Sequence, residues 1–101
     1  MDIIGNDYQL QFGNTRAILH YESESILHFL IKEIDGVEVN NSETVEVKLT
    51  QLRSQLFLVT WKDKNGNTVS QVQDYEFGIV YSNWTTPEGE LKSLKGTISK
   101  I

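Results

Sequence analysis

Five side chains in this 101-residue chain have the types and spacing to hold a ligand: Trp61, Asp74, Tyr81, Asn83 and His28. An indole offers a flat stacking surface and one N–H donor, a phenol and an imidazole can each donate or accept, and a carboxamide and a carboxylate can read the polar atoms of a bound molecule. Asp74 carries the most meaning. A carboxylate turned into an apolar interior costs several kcal/mol unless it is hydrogen-bonded or protonated, so its presence there asks for a reason, and ligand binding is one. Its structural alternative is to accept backbone N–H bonds in the turn Tyr75 to Gly78. A further alternative pairs Asp74 with Tyr81 as acid and base of a cofactor-free lyase or isomerase.

These residues share a face only if the strands carrying them keep one register. Asn65-Gly66, between Leu56–Trp61 and Thr68–Val72, has the chemistry of a two-residue hairpin loop. With Lys64 opposite Asn67, Trp61 opposes Ser70, Val59 opposes Val72 and Phe57 opposes Asp74. A second reversal at Phe77-Gly78 sets Asp74 against Tyr81 and Val72 against Asn83. One surface then collects Phe57, Val59, Trp61, Val72, Asp74, Tyr81 and Asn83, and Trp84 falls outside, where it could serve a homodimer contact. A slip of one residue at either turn would turn a strand over.

The other segments read as strands as well. Tyr8 to Phe12 alternates apolar and polar, Gly13-Asn14 turns the chain, and Thr15 to Tyr21 returns. An even-length loop at Glu22 to Ser25 pairs Tyr21 with Ile26. That places His28 with Leu19 and Tyr21 and puts His20 on the other face, so the two histidines are not expected to share a metal. Asp35 to Ser42 reads as the longest irregular stretch and a mobile loop. Glu43 to Leu52 alternates again, Pro87-Glu88-Gly89 is a turn, and Leu91 to Ile101 is a last strand. About eight short strands without a helical period predict an all-β fold. The expected form is a small up-and-down antiparallel barrel, closed by the first and last strands and calycin- or lipocalin-like in shape. An open pair of sheets is the alternative.

Composition narrows the partners. The length suits a single domain, residues 1–101. A net charge of −5 and a pI near 4.9 argue against nucleic acid and anionic membranes. A mean hydropathy of −0.33 belongs to an ordinary globule, and no apolar run approaches the length of a membrane helix. Without cysteine there is neither disulfide nor thiolate chemistry, and the N-terminal MDIIGNDYQL has no signal-peptide pattern, so the cytoplasm is the expected compartment. No His-x-His or Glu-x-x-His spacing, phosphate loop, Ser-His-Asp order or carboxylate pair occurs, so no metal and no cofactor are expected.

The series Tyr8-x-Leu10-x-Phe12-Gly13, Phe57-Leu58-Val59-x-Trp61, Thr68-Val69-x-x-Val72-x-Asp74, Val80-Tyr81-x-Asn83, Pro87-x-Gly89 and Leu94-x-Gly96-Thr97 resembles the MoaF-like domains. These are calycin-type barrels related to molybdenum cofactor biosynthesis protein F. The resemblance spans nearly the whole chain and implies a pterin-type ligand. The chain departs from the family pattern at Gln71, where a histidine is common. The function expected is a small-molecule binding module with one pocket inside the barrel, lined by Trp61, Asp74, Tyr81, Asn83 and His28 and taking an apolar or heteroaromatic ligand. The alternatives are the lyase or isomerase above and a protein-interaction domain with a filled core.

Overall fold

A computed structural model describes residues 2–101. Eight antiparallel strands follow one another: β1 (Asp7–Phe12), β2 (Thr15–Tyr21), β3 (Ile26–Ile34), β4 (Val37–Arg53), β5 (Leu56–Lys62), β6 (Thr68–Asp74), β7 (Ile79–Thr85) and β8 (Leu91–Lys100). Each pairs with its neighbours in sequence, and β1 pairs with β8 through Tyr8↔Lys100 to Gln11↔Thr97, which closes the barrel. Closure removes the two sheet edges that an open meander would leave unpaired. No helix among the described residues is long and apolar enough to cross a membrane.

Alternation along each strand fills the interior. Tyr8 and Leu10 of β1, Leu19 and Tyr21 of β2, Leu27 of β3, Val45 of β4, Phe57, Val59 and Trp61 of β5, Val69 of β6, Val80 of β7 and Ile98 of β8 are all buried. Ile3, ahead of β1, is also buried. The N-terminal segment reaches it by running beside β2, with Ile4 bridging Tyr21 in parallel and the Gly5 N–H donating to the Tyr21 carbonyl at 2.8 Å. It stops the end of the barrel where β1, β3, β5 and β7 begin.

Three turns differ from the sequence expectation, the first for a clear local cause. At Asn65-Gly66 the observed pairs are Lys62↔Thr68, Trp61↔Val69, Val59↔Gln71 and Phe57↔Gln73, one residue away from the predicted register. A two-residue type I′ loop needs positive φ at both central positions, and here Gly66 has φ 83° while Asn65 does not enter that region. Asp63 decides the matter. Its Oδ1 accepts from the N–H groups of Asn65 and Asn67, both at 2.9 Å, and its Oδ2 accepts from Asn67 Nδ2 at 3.0 Å, which holds a wider loop from Asp63 to Asn67.

At the second reversal Asp74 pairs with Ile79 and Val72 with Tyr81, so the loop is Tyr75–Gly78 and not Phe77-Gly78 alone. At Glu22–Ile26 the loop is odd in length, Tyr21 pairs with Leu27, and His20 pairs directly with His28. The supposed mobile stretch Asp35 to Ser42 is ordered as strand. Asp35 and Gly36, with φ of 50° and 84°, make the tight turn from β3 into the 17-residue β4. Residues Val37 to Glu46 of β4 pair with β3, and Val47 to Arg53 pair with β5.

Candidate functional site

The one-residue shift in β6 reverses that strand. Val69, Gln71 and Gln73 point inward, with Gln73 fully buried, while Val72 and Asp74 point outward. Placement of Asp74, Tyr81 and Asn83 in the interior is therefore corrected: they do lie on one face, and it is the outer one. Asp74 Oδ1 accepts the N–H groups of Glu76 and Phe77, both at 3.0 Å, so the carboxylate closes its own turn. Tyr81 is 49% exposed, with Lys95 Nζ 5.7 Å from its ring centroid. Asn83 Oδ1 accepts from the Ser93 hydroxyl at 2.8 Å across the outer sheet. Tyr81 and Asp74 are thus not gathered into an acid–base pair inside the barrel.

His28 is also outward-facing, and it stands beside His20. Trp61 faces the interior as expected, 6.0 Å from the Phe29 ring, with its buried Nε1 unpartnered. Trp84, expected outside, follows Val80 and Ser82 on the inner face of β7 and packs against the core.

What occupies the interior in place of Asp74 is a neutral polar chain. Gln73 Oε1 accepts from the Tyr21 hydroxyl at 2.8 Å and from the Tyr75 hydroxyl at 2.7 Å. Gln73 Nε2 donates to Gln71 Oε1 at 2.8 Å, and Gln71 Nε2 donates to the Ser82 hydroxyl at 3.3 Å. Such a chain is stable in a dry core because each member satisfies the next. Sequence reasoning missed it, since glutamines on a strand read as the wet face. The signal available was the Asp63-x-Asn65-Gly66-Asn67 loop, whose carboxylate sets the register.

Tyr75 links this chain to the barrel mouth. It lies in the β6–β7 turn, its N–H donates to the Gln55 carbonyl of the β4–β5 turn at 2.8 Å, and its ring meets Tyr8 and Phe57 edge-on at centroid distances of 4.8 and 5.8 Å. Above these rings opens a cleft of about 390 Å³. Tyr8, Phe57, Tyr75 and Ile98 form its floor, and Asp2, Gln51, Ser54, Gln55, Ser99 and Lys100 supply polar groups around it.

Burial pushes the Tyr21 and Tyr75 hydroxyls far above the ordinary tyrosine value of 10.0, and burial raises Tyr8 as well. Below pH 10 both folded and unfolded chains hold these protons. Above it the unfolded chain releases them while the folded one keeps them, so stability falls as pH rises. With Tyr21 and Tyr75 both retained, the slope approaches about 2.7 kcal/mol per pH unit. Urea unfolding at pH 8, 10 and 11 checks this, and equal stability at all three would remove the buried hydroxyls from the account.

The MoaF-like family profile matches residues 4–99. A crystal structure from Burkholderia vietnamiensis, of a protein provisionally named a beta-lactamase, superposes with a TM-score of 0.88 at 14% identity, covering 100% of this chain and 97% of that one. At that identity the likeness is one of fold, and the present chain has no Ser-x-x-Lys spacing of the kind serine beta-lactamases use. Comparison with curated protein sequences returned no match. With the profile match running from the segment that stops the barrel to the end of β8, the chain belongs to the MoaF-like family.

Proposed function

We propose that the protein is a small-molecule binding module whose site is the mouth cleft floored by Tyr8, Phe57 and Tyr75. The observation that supports this most is the cleft of about 390 Å³, in the range of small-ligand sites, lying on three aromatic rings with polar side chains converging from the rim. Its floor is rigid, because Tyr75 is bound to Gln73 below and to the Gln55 carbonyl beside it. A flat ring fits such a floor. Gln51, Ser54, Gln55 and Ser99 can read ring substituents, and Lys100 can meet an anionic one. Heteroaromatic compounds of the pterin class, the kind of ligand the family relationship implies, are the first to test.

The binding role moves with the register. Trp61 lies inside the barrel without lining this cleft, and Asp74, Tyr81, Asn83 and His28 would take part in binding only on the outer wall. Thermal-shift assays with pterins, phenolic acids and fatty acids test the proposal. A ligand at a hundred times its Kd stabilises by about 2.7 kcal/mol, which raises Tm by more than about 10 °C in a domain of this size. Ser54→Trp, at an exposed rim position, fills the cleft and is expected to abolish the shift, whereas Asn83→Ala on the outer wall preserves it. Absence of any stabilising compound, or a shift that survives in Ser54→Trp, would overturn the assignment.

A further inference from the structure

The outer wall carries a second arrangement, set by the odd-length loop between β2 and β3. Asp7↔His20, His20↔His28 and His28↔Thr44 are directly opposed pairs, so these four residues form one straight row across β1, β2, β3 and β4. The two imidazoles occupy the middle of the row, stacked at 6.1 Å between centroids and 29° between planes. Each is held from its outer side. His20 Nδ1 lies 2.6 Å from Asp7 Oδ1, and His28 Nδ1 lies 2.7 Å from Thr44 Oγ1.

With Nδ1–H donating in both rings, both Nε2 lone pairs are left for another partner. A carboxylate or hydroxyl holding the remote nitrogen is the support that metal-bound histidines usually have. Glu22, in the β2–β3 loop, brings Oε2 to 3.6 Å from His28 Nε2. Two imidazoles on one tetrahedral ion, at metal–nitrogen distances of about 2.0–2.1 Å, have centroids roughly 5–6 Å apart, close to the 6.1 Å between these two rings. As the side chains stand, no three such groups among the described residues already surround one point. Glu22, at 61% side-chain exposure, is free to swing in. The pair also lines an open depression with Ile18, Leu30 and Thr44, which leaves room for water as a further ligand.

We propose that His20 and His28, with Glu22 as a third ligand, bind a divalent transition metal ion of the Zn²⁺, Ni²⁺ or Cu²⁺ type on the outer wall, and that Asp7 and Thr44 position the two rings. Imidazole with one carboxylate suits these ions and not Mg²⁺ or Ca²⁺, which take oxygen ligands. The site is independent of the mouth cleft.

Isothermal titration of the chelator-free protein with ZnCl₂ tests the assignment, with His20→Gln, His28→Gln, Asp7→Asn and Asn83→Ala beside the wild type and circular dichroism checking the fold. One ion per chain is expected. Each histidine substitution should weaken binding at least tenfold by breaking the chelate, and Asp7→Asn should weaken it by about tenfold or somewhat less through loss of ring support. Asn83→Ala should not change it. Cu²⁺ added in trace amounts should broaden amide NMR signals around the Asp7–His20–His28–Thr44 row first. Undiminished binding in either histidine variant, no heat with 1 mM Zn²⁺, or broadening centred elsewhere would overturn the proposal.

Discussion

Gly96→Ala is expected to lower the melting temperature by more than about 10 °C, through a loss on the order of 3 kcal/mol. Gly96 lies on the inner side of β8, where β1 crosses to close the barrel. A Cβ there would fall far inside van der Waals contact of the Gln11 carbonyl oxygen and 2.7 Å from Phe12 Cδ1. The Phe12 ring could turn away. The Gln11 carbonyl cannot, because the pairs Gln11↔Thr97 and Leu10↔Ile98 fix that backbone beside it. Relief therefore means separating β1 from β8, the one seam that joins the two ends of the chain, and a parted seam exposes two unpaired strand edges. Ser93→Ala, on an exposed position of the same strand, should cost less than about 1 kcal/mol. Thermal unfolding by circular dichroism measures both, and a Gly96→Ala variant melting within about 2 °C of wild type would show that the seam gives way freely.

Gln73→Met is expected to destabilise by at least about 3 kcal/mol although it nearly preserves the volume of the side chain. The methionine would strand the Tyr21 and Tyr75 hydroxyls, which both donate to Gln73 Oε1, and the Gln71 oxygen that accepts from Gln73 Nε2. Each polar group left without a partner in a dry site costs about 1–3 kcal/mol. Because the loss arises from stranded partners, removing a partner should restore part of it: Gln73→Met combined with Tyr21→Phe is expected to be more stable than the sum of the single changes predicts. Chemical denaturation of the four proteins decides the point, and strict additivity would mean that the hydroxyls do not depend on Gln73.

Much of the fold can be read from the residues. Alternation in Tyr8–Phe12, the turn at Gly13-Asn14, the single proline and the spacing of short strands imply a closed meander, and the first and last strands do pair. Trp61, Phe57 and Val59 face inward, as alternation along β5 implies. The candidate site was far less legible. The two turn-forming residues Asn65-Gly66 imply a two-residue loop, whereas the carboxylate of Asp63, outside them, captures three donors and widens it. One residue of register then exchanged Val72 and Asp74 for Gln71 and Gln73. Hydrophobic pattern could not correct the error, because both sides of β6 are mostly polar: one valine with two glutamines faces the core, and one valine with Thr68, Ser70 and Asp74 faces outward.

From composition and periodicity alone follow strand content, the approximate limits of most strands though not of β4, closure and the exclusion of thiol chemistry, since these depend on local backbone preference and on the period-two burial of side chains. Which face of β6 is wet, which histidines meet, and where the mouth cleft lies were decided only when loops of odd and even length set neighbouring strands against one another. Parity is a property of two strands and the turn between them, and here a few side-chain hydrogen bonds within the turns settled it.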